Sequence, residues 1–266
     1  MIKIIPIIKE YTPESLWNLI RNLFYKFTNF INTIGPSMRS MKYCGIRLYY
    51  NKGNVLIKRL KKEIVFERDI CEAMVKELKN NQNLTFLDIG ANIGLISFYV
   101  LSKIPEVKIH AFEPGPNQCE LLSKTVQANS LKNITIHDEA LGDKVGTVTF
   151  HIHEEKYAAL DGLQDTQRRG ITKPIEVPMI TLDSWWLSAH KPKVSVVKID
   201  TEGSELLVLR GAENFIKENK PIIFLEIEPM NLRAYPYNES DIFDFFKIIG
   251  YDLKAFNRDT YIARPI

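Results

Sequence analysis

A chain of 266 residues, 45% apolar and 25% charged, has the composition of an ordinary globular protein of one large domain or two small ones. Its three cysteines, Cys44, Cys71 and Cys119, fit no disulfide or zinc spacing and read as free thiols of a reducing compartment. No apolar run is long enough to span a bilayer. Met1–Glu10, interrupted by Lys3, Pro6 and Lys9, lacks the form of a signal peptide, so a cytoplasmic protein is expected.

The net charge of +3 hides an asymmetry. Between Ser15 and Lys62 there is no Asp or Glu, while Arg21, Lys26, Arg39, Lys42, Arg47, Lys52, Lys58, Arg59, Lys61 and Lys62 are all basic. A basic amino-terminal arm therefore precedes an acidic body. Within the arm, Thr12-Pro13 opens an amphipathic helix whose apolar residues recur from Leu16 to Ile34, and Gly35-Pro36 ends it. Its apolar face is expected to pack on the main domain or a partner subunit. The sharper alternative is peripheral contact with an anionic membrane through residues 12–62.

Ile46–Tyr50 and Val55–Ile57, on either side of Asn51-Lys52-Gly53-Asn54, give a hairpin signal. Ile64–Leu78 reads as a helix with Glu67 outward. The polar Asn80–Asn83 break divides residues 1–83, a basic extension, from residues 84–266, the main domain. Strands are expected at Thr85–Ile89, Lys108–Phe112, Ile134–His137, Val194–Ile199 and Ile222–Ile227. Between them lie helical patterns at Ile93–Ser102, Asn117–Ala128, Glu205–Leu209 and Asp241–Ile249. Gly146–His153 reads as an added edge strand, Tyr157–Lys173 as a long polar loop and Ile175–Ile180 as a further strand. Asp183 is read as the cap of a short helix containing Trp185 and Trp186, a core or interface anchor more than a substrate wall. Leu253–Phe256 and Thr260–Ala263 close the chain as a hairpin. This order implies an α/β fold, a doubly wound and mostly parallel sheet with a terminal antiparallel pair.

The first βαβ unit, Leu84–Glu113, carries the function argument. In such a sheet ligands sit beyond the carboxyl ends of the strands. Gly90 and Gly94 permit close backbone approach and exposed N–H groups at a helix start. Glu113, ending the next strand, can accept both hydroxyls of a ribose. The run D-I-G-A-N-I-G lacks the G-x-G-x-x-G spacing of a dinucleotide turn, and Asp88 sets an acid where a diphosphate would lie, an unfavourable pairing. The same acid suits a ligand carrying an ammonium and a sulfonium, which is S-adenosylmethionine. Asp138 or Glu139, with Ala140 after them, could line the adenine slot. Lys198 and Asp200 share one face of a strand end, and Glu202 and Glu226 bring further acids to that rim. Asp200, Glu202 and Glu226 are the candidate bases for a hydroxyl nucleophile; a simple ion-pair role for Lys198 is an equal reading. Two of the acids could hold a divalent cation, but no spacing demands a metal. His151 and His153 are read as solvated edge-strand histidines.

Seven blocks in order, F-L-D-I-G-A-N-I-G (86–94), H-A-F-E-P (110–114), A-L-G-D-K-V-G (140–146), T-L-D (181–183), K-I-D-T-E-G-S-E (198–205), V-L-R-G-A (208–212) and F-L-E (224–226), resemble the FkbM family of S-adenosylmethionine-dependent methyltransferases. The resemblance covers about two-thirds of the chain. It implies the class I methyltransferase fold, a Rossmann-like seven-stranded sheet, and O-methylation of sugar or natural-product hydroxyls. It supports cofactor contacts at Asp88, Gly90, Asn92, Gly94 and Glu113, with Pro114 beside them, and marks Lys198, Asp200, Glu202 and Glu205 as a signature rim. Thr201 stands where the family usually has Val. The expected acceptor is a small molecule, glycan or glycolipid. Methylation of RNA through the basic arm, with Tyr43, Tyr49 and Tyr50 as stacking groups, is opposed by the acidic body. A catalytically degenerate binding module is opposed by the intact glycine turn.

Overall fold

Thr85–Ile89 (β3) and Val196–Ile199 (β9) are buried along their whole length, as parallel strands covered on both faces must be. Side chains alternate across them, so Phe86 enters one core and Leu87 the other. The computed structural model describes residues 38–266; the expected helix of residues 12–34 lies outside them. The described chain also forms β4 (Lys108–Phe112), β5 (Ile134–His137), β10 (Ile222–Glu226), β11 (Tyr251–Ala255) and β12 (Thr260–Pro265). Together these strands make a seven-stranded sheet in the order β11-β12-β10-β9-β3-β4-β5. All its pairings are parallel except those of β12 with β10 and β11. The chain order reverses between β3 and β9, so the topological switch point, where open α/β sheets bind ligands, lies beyond their carboxyl ends. The fold is the expected doubly wound, Rossmann-like one.

The segment before β3 is built into this body. Residues Met38–Ile266 form one compact unit. Tyr43, Leu48, Leu60, Met74 and Leu78 share a core with Phe86, Phe98 and Leu122. The elements there differ from the sequence reading. The hairpin is β1 (Met38–Tyr43) with β2 (Ile46–Asn51), turning at Cys44-Gly45, both at positive φ. Asn54 is not a hairpin residue: its side chain accepts from Leu56 N at 2.9 Å and starts helix α1, Val55–Glu63. The next helix, α2, spans Arg68–Lys79 and starts four residues later than expected, because Ile64 and Glu67 are left-handed.

The following helices are α3 (Leu95–Lys103) and α4 (Pro116–Ala128). Between β5 and helix α5 (Leu182–Ser188) the chain makes an excursion. Gly146–His153 (β7) does not extend the main sheet; it pairs with Thr172–Ile180 (β8), which also pairs with Ala140–Leu141 (β6), as a separate three-stranded sheet. Alternation identified a strand there but could not name its partner. Part of the expected polar loop is a 3-10 turn, Glu155–Leu160. Helix α5 is capped by Thr181, not Asp183. Asp183 instead accepts from the N–H groups of Asn214 and Phe215, in the first turn of α7 (Glu213–Asn219), which follows α6 (Glu205–Arg210). Trp185 and Trp186 are buried in the second core. No helix among the described residues is long and apolar enough to cross a membrane.

Met74 is fully buried where α2 meets the common core. Its replacement by Ala is expected to lower whole-chain stability by about 2–5 kcal/mol in urea unfolding. A change under about 0.5 kcal/mol, the range of surface substitutions, would show that the segment before β3 is only loosely docked.

Candidate active site

A cleft open to solvent lies at the switch point. Its floor is the turn after β3. A Cβ at Gly90 (φ 74°) would run into the carbonyl of Asp200, so only glycine lets the turn pass this close to β9. The sequence led us to expect exposed N–H groups at the start of the helix; those of the turn before it are engaged. Gly90 and Ala91 both donate to the carbonyl of Phe112, Gly94 to that of Ala91, Asn92 to Glu113 Oε2 and Ile93 to the side chain of Asn92. The turn thus spends its donors on its own shape. A diphosphate would find none of them.

Lys198, at the end of β9, is buried and holds the turn from below. Its Nζ lies 2.7 Å from the carbonyl oxygen of Gly90, 3.3 Å from that of Ile89, 3.3 Å from Asp200 and 3.5 Å from Asp88. Burial alone would lower its pKa, but Asp200 and Asp88 raise it well above the ordinary lysine value, so it is a permanent cation and not a proton donor. Asp88 is 1% exposed. One oxygen accepts from Ser97 Oγ at 2.6 Å, and the other has only Lys198. Glu113 accepts from Asn92 N and Gly115 N, each at 2.7 Å. Burial nevertheless raises its pKa to about 7.

The opposite rim is acidic. Asp200, Glu202 and Glu226 can each bring one oxygen within 4.8 Å of the others. Burial favours the neutral form of Asp200, but the Lys198 ammonium and a hydrogen bond from Glu226 hold its pKa below the usual carboxylate range. The charge of Asp200, then burial, raises Glu226 well above that range. The pair therefore holds one proton, on Glu226, directed at Asp200. Glu202 is raised to about 8, first by burial and then by Asp200. It accepts from Arg168 at 3.2 Å and Asn231 at 2.8 Å. Glu205, fully buried, accepts from Thr201 N, Thr201 Oγ1 and Gly203 N; it shapes the rim from behind. Three clustered carboxylates could embrace a divalent cation, though Lys198 and the shared proton already offset their charge.

Of the residues singled out in the sequence, Asp88, Gly90, Asn92, Glu113, Pro114, Glu139, Ala140, Lys198, Asp200, Glu202 and Glu226 line this cleft, whereas Gly94 and Asp138 do not. Gly94 (φ 85°) is a packing glycine: a Cβ there would strike Leu122 and Phe98. Asp138, at the end of β5, is half-buried to one side of the cleft. His153 is a further correction. It is buried, not solvated, with Nδ1 3.2 Å from Asp161; Asp161 also accepts from Gln118 of α4 at 2.7 Å, tying the excursion to the main domain. Sequence reasoning missed two walls. Leu56, Arg59, Phe66 and Glu67 come from α1 and the turn before α2, and Phe150, Ala158 and Leu163 from the excursion. The alternating apolar residues of β7 and the basic run in α1 are visible signals, but neither says that these segments meet over the glycine turn.

The sequence profile described as Methyltransferase FkbM domain matches residues 88–253. Methyltransferase sdnD of Sordaria araneosa is 27% identical over 158 residues, 49% of this chain and 61% of that protein. Hexuronic acid methyltransferase AglP of Haloferax volcanii is 27% identical over 151 residues, 57% of this chain and 58% of that one. The chain thus matches about three-fifths of the length of these relatives. The solved structure of methyltransferase FkbM from Methylobacillus flagellatus is similar at a TM-score of 0.47 and 18% identity, over 68% of this chain and 43% of that one.

S-adenosylmethionine is the donor of the matched family, and the cleft fits it. The carboxylates of Asp88 and Glu113 give this end of the cleft its acidic character, and Gly90 leaves the space that a side chain would close. Asp88, Gly90 and Asn92 would hold the amino-acid end and Glu113 the ribose.

Two outcomes follow from this electrostatic arrangement. Replacing Lys198 with Met leaves Asp88 buried without a counter-charge, a change that costs about 3–5 kcal/mol in buried pairs. Thermal unfolding should register that loss, and calorimetry should find donor binding gone; a variant that binds normally would make the strut dispensable. Separately, Glu67 and Glu113, raised to about 7, and Glu202, raised to about 8, keep protons in the folded chain that the unfolded chain has released. Stability of the ligand-free protein should therefore fall as pH rises from about 6.5 through about 8. His110 and His153, whose values are lowered, act only below that window. Melting temperatures across the range test this, and a flat or rising profile contradicts it.

Proposed function

We propose that this chain, which belongs to the FkbM methyltransferase family, moves the methyl group of S-adenosylmethionine to a hydroxyl of a sugar or sugar-like acceptor. The observation that carries this reading is the charge of the cleft. Among the described residues, eight acids line it (Glu67, Asp88, Glu113, Glu139, Asp161, Asp200, Glu202 and Glu226) against two cations, Arg59 and the already committed Lys198; with Glu226 protonated and Glu67, Glu113 and Glu202 raised to about 7–8, the other four acids still outnumber the cations. Such a cleft repels a diphosphate or a nucleic-acid backbone and attracts a ligand bearing a sulfonium and an ammonium. When bound, S-adenosylmethionine supplies an electrophilic methyl group. The chain's residues then have to place a hydroxyl in line with it, and placement supplies much of the rate of such a displacement. The oxygens of Asp200 and Glu226 not used in their shared hydrogen bond offer acceptors that can orient an alcohol. The name of the Haloferax relative, a hexuronic acid methyltransferase, supports a sugar as the acceptor class.

Calorimetry with S-adenosylmethionine and with NAD separates the donors; we expect binding of the first and none of the second, and binding of NAD alone would overturn the reading. Transfer from methyl-labelled donor into a fractionated lysate, with mass spectrometry of the labelled product, should return an O-methylated sugar. Label found on nitrogen, or on RNA, would sink the hydroxyl assignment.

A further inference from the structure

The rim assigned to the acceptor contains no free base. Asp200 is bound to Lys198, Glu226 holds the proton it shares with Asp200, and Glu202 is taken up by Arg168 and Asn231. Another carboxylate faces the same space. Glu67 lies between α1 and α2, ahead of the family-matched stretch that begins at residue 88, and lines the cleft with Asp200 and Glu226.

Glu67 helps make the turn between α1 and α2, but two of its features are not needed for a turn. Its backbone is left-handed (φ 46°, ψ 49°), a conformation that glycine adopts freely and glutamate only under strain. It precedes α2 but makes no capping bond with its side chain, so the carboxylate is not there for the helix. Its side chain is 22% exposed and its one close partner is Arg59 Nη1 at 3.5 Å, while Arg59 Nε is engaged more tightly by Glu63 at 2.8 Å. A strained backbone that keeps a loosely held carboxylate at a cleft is the pattern of a functional group.

Resting on the reading that the acceptor is a hydroxyl, we propose that Glu67 is the base that takes its proton. The acceptor oxygen bonds to the methyl carbon as the sulfur–methyl bond breaks, the electron pair stays on sulfur, and the hydroxyl proton passes to the Glu67 carboxylate. The positive charge leaves the donor and ends as that proton, so the step balances without a metal or another reactant. The groups facing Glu67 are consistent with the task. Burial, then Asp200, with Glu63 and Glu226 beyond, favour its protonated form, while Lys198 and Arg59 oppose them; Cys71, four residues on, is buried with its own pKa raised. The balance puts Glu67 at about 7, where a base both accepts a proton and is ionised at neutral pH.

The test pairs two variants with two readouts. Glu67→Gln keeps the size of the side chain and removes the base. Using the lysate fraction labelled above as acceptor, its methyl transfer should fall about 100-fold or more, far more than any weakening of donor affinity that calorimetry finds on loss of one cleft charge. The rise of rate with pH through about 7 should vanish. Glu67→Gly relieves the left-handed backbone, so it should melt at a higher temperature and still lose activity. The second readout needs no acceptor: in carboxyl-13C-glutamate-labelled protein, one resonance titrating near 7 should disappear in Glu67→Gln. Retention of the rate and pH profile in either variant, or a Glu67 resonance titrating at the ordinary carboxylate value, overturns the inference. The wild-type chain failing to label any hydroxyl would instead strike the functional reading, while the resonance still decides whether Glu67 is poised.

Discussion

The Lys198 ammonium fixes three segments at once. It hydrogen-bonds the backbone of the turn after β3, neutralises Asp88 beneath that turn and holds Asp200 at the end of its own strand. A cation this buried has its desolvation offset only by close, well-directed partners, so the turn, the strand end and the lysine stand or fall together. The close passage of Gly90 over the Asp200 carbonyl depends on the same contact. From this one ion cluster follow the floor of the cleft, the low pKa of Asp200 and, through Asp200, the proton on Glu226.

The cleft is also a case of excess charge put to use. Burial and the charge of Asp200 push up the pKa values of Glu67, Glu202 and Glu226, and part of the stability of the fold is given up to keep these acids together. That arrangement is reasonable where the natural occupant is a cation. A sulfonium and an ammonium entering the site would offset the repulsion, so donor binding and the local electrostatics favour each other. The spent N–H groups of the glycine turn make the same point from the backbone side: where a dinucleotide site would aim donors at phosphate, this turn closes them on Phe112, Glu113 and Asn92.

The donor half of the site was legible because its signals are local. Strand periodicity, an acid ending one strand at Asp88 and another ending the next at Glu113 are read within a single βαβ unit, and the remaining rim residues sit at strand ends in ordered blocks. Gly94 carries a second role that the spacing does not show. A glycine at that spacing looks like a ligand contact, and only the packing of Leu122 and Phe98 shows that it makes room for side chains. Glu67 was read as an outward helix residue because the break before α2 consists of two left-handed residues, Ile64 and Glu67, with no glycine or proline to announce it. Gly146–His153 is an edge strand as expected, but of a separate sheet, and that and the unexpected burial of His153 have a common cause: alternation defines faces but leaves the neighbouring strand unknown.

The acceptor half is harder to read for a physical reason. The groups placed for the donor sit at strand ends and in the turn after β3, positions that the sheet itself dictates. The remaining walls of the cleft are pieces that the sheet does not dictate: Arg59, Phe66 and Glu67 from the segment before β3, and Phe150, Ala158 and Leu163 from the excursion after β5. These two walls come from distant parts of the chain. The first owes its position to the core that Leu60 and Met74 share with Phe98 and Leu122. The second is held by the Gln118–Asp161–His153 contacts to α4. Specificity in such a protein is therefore set by how two peripheral segments dock on a common frame, and a fold can be kept while the acceptor changes. A residue that does chemistry from one of those walls, as Glu67 is placed to do, would couple the choice of acceptor to the rate of transfer, because an alcohol that failed to fit between the walls would also miss the base.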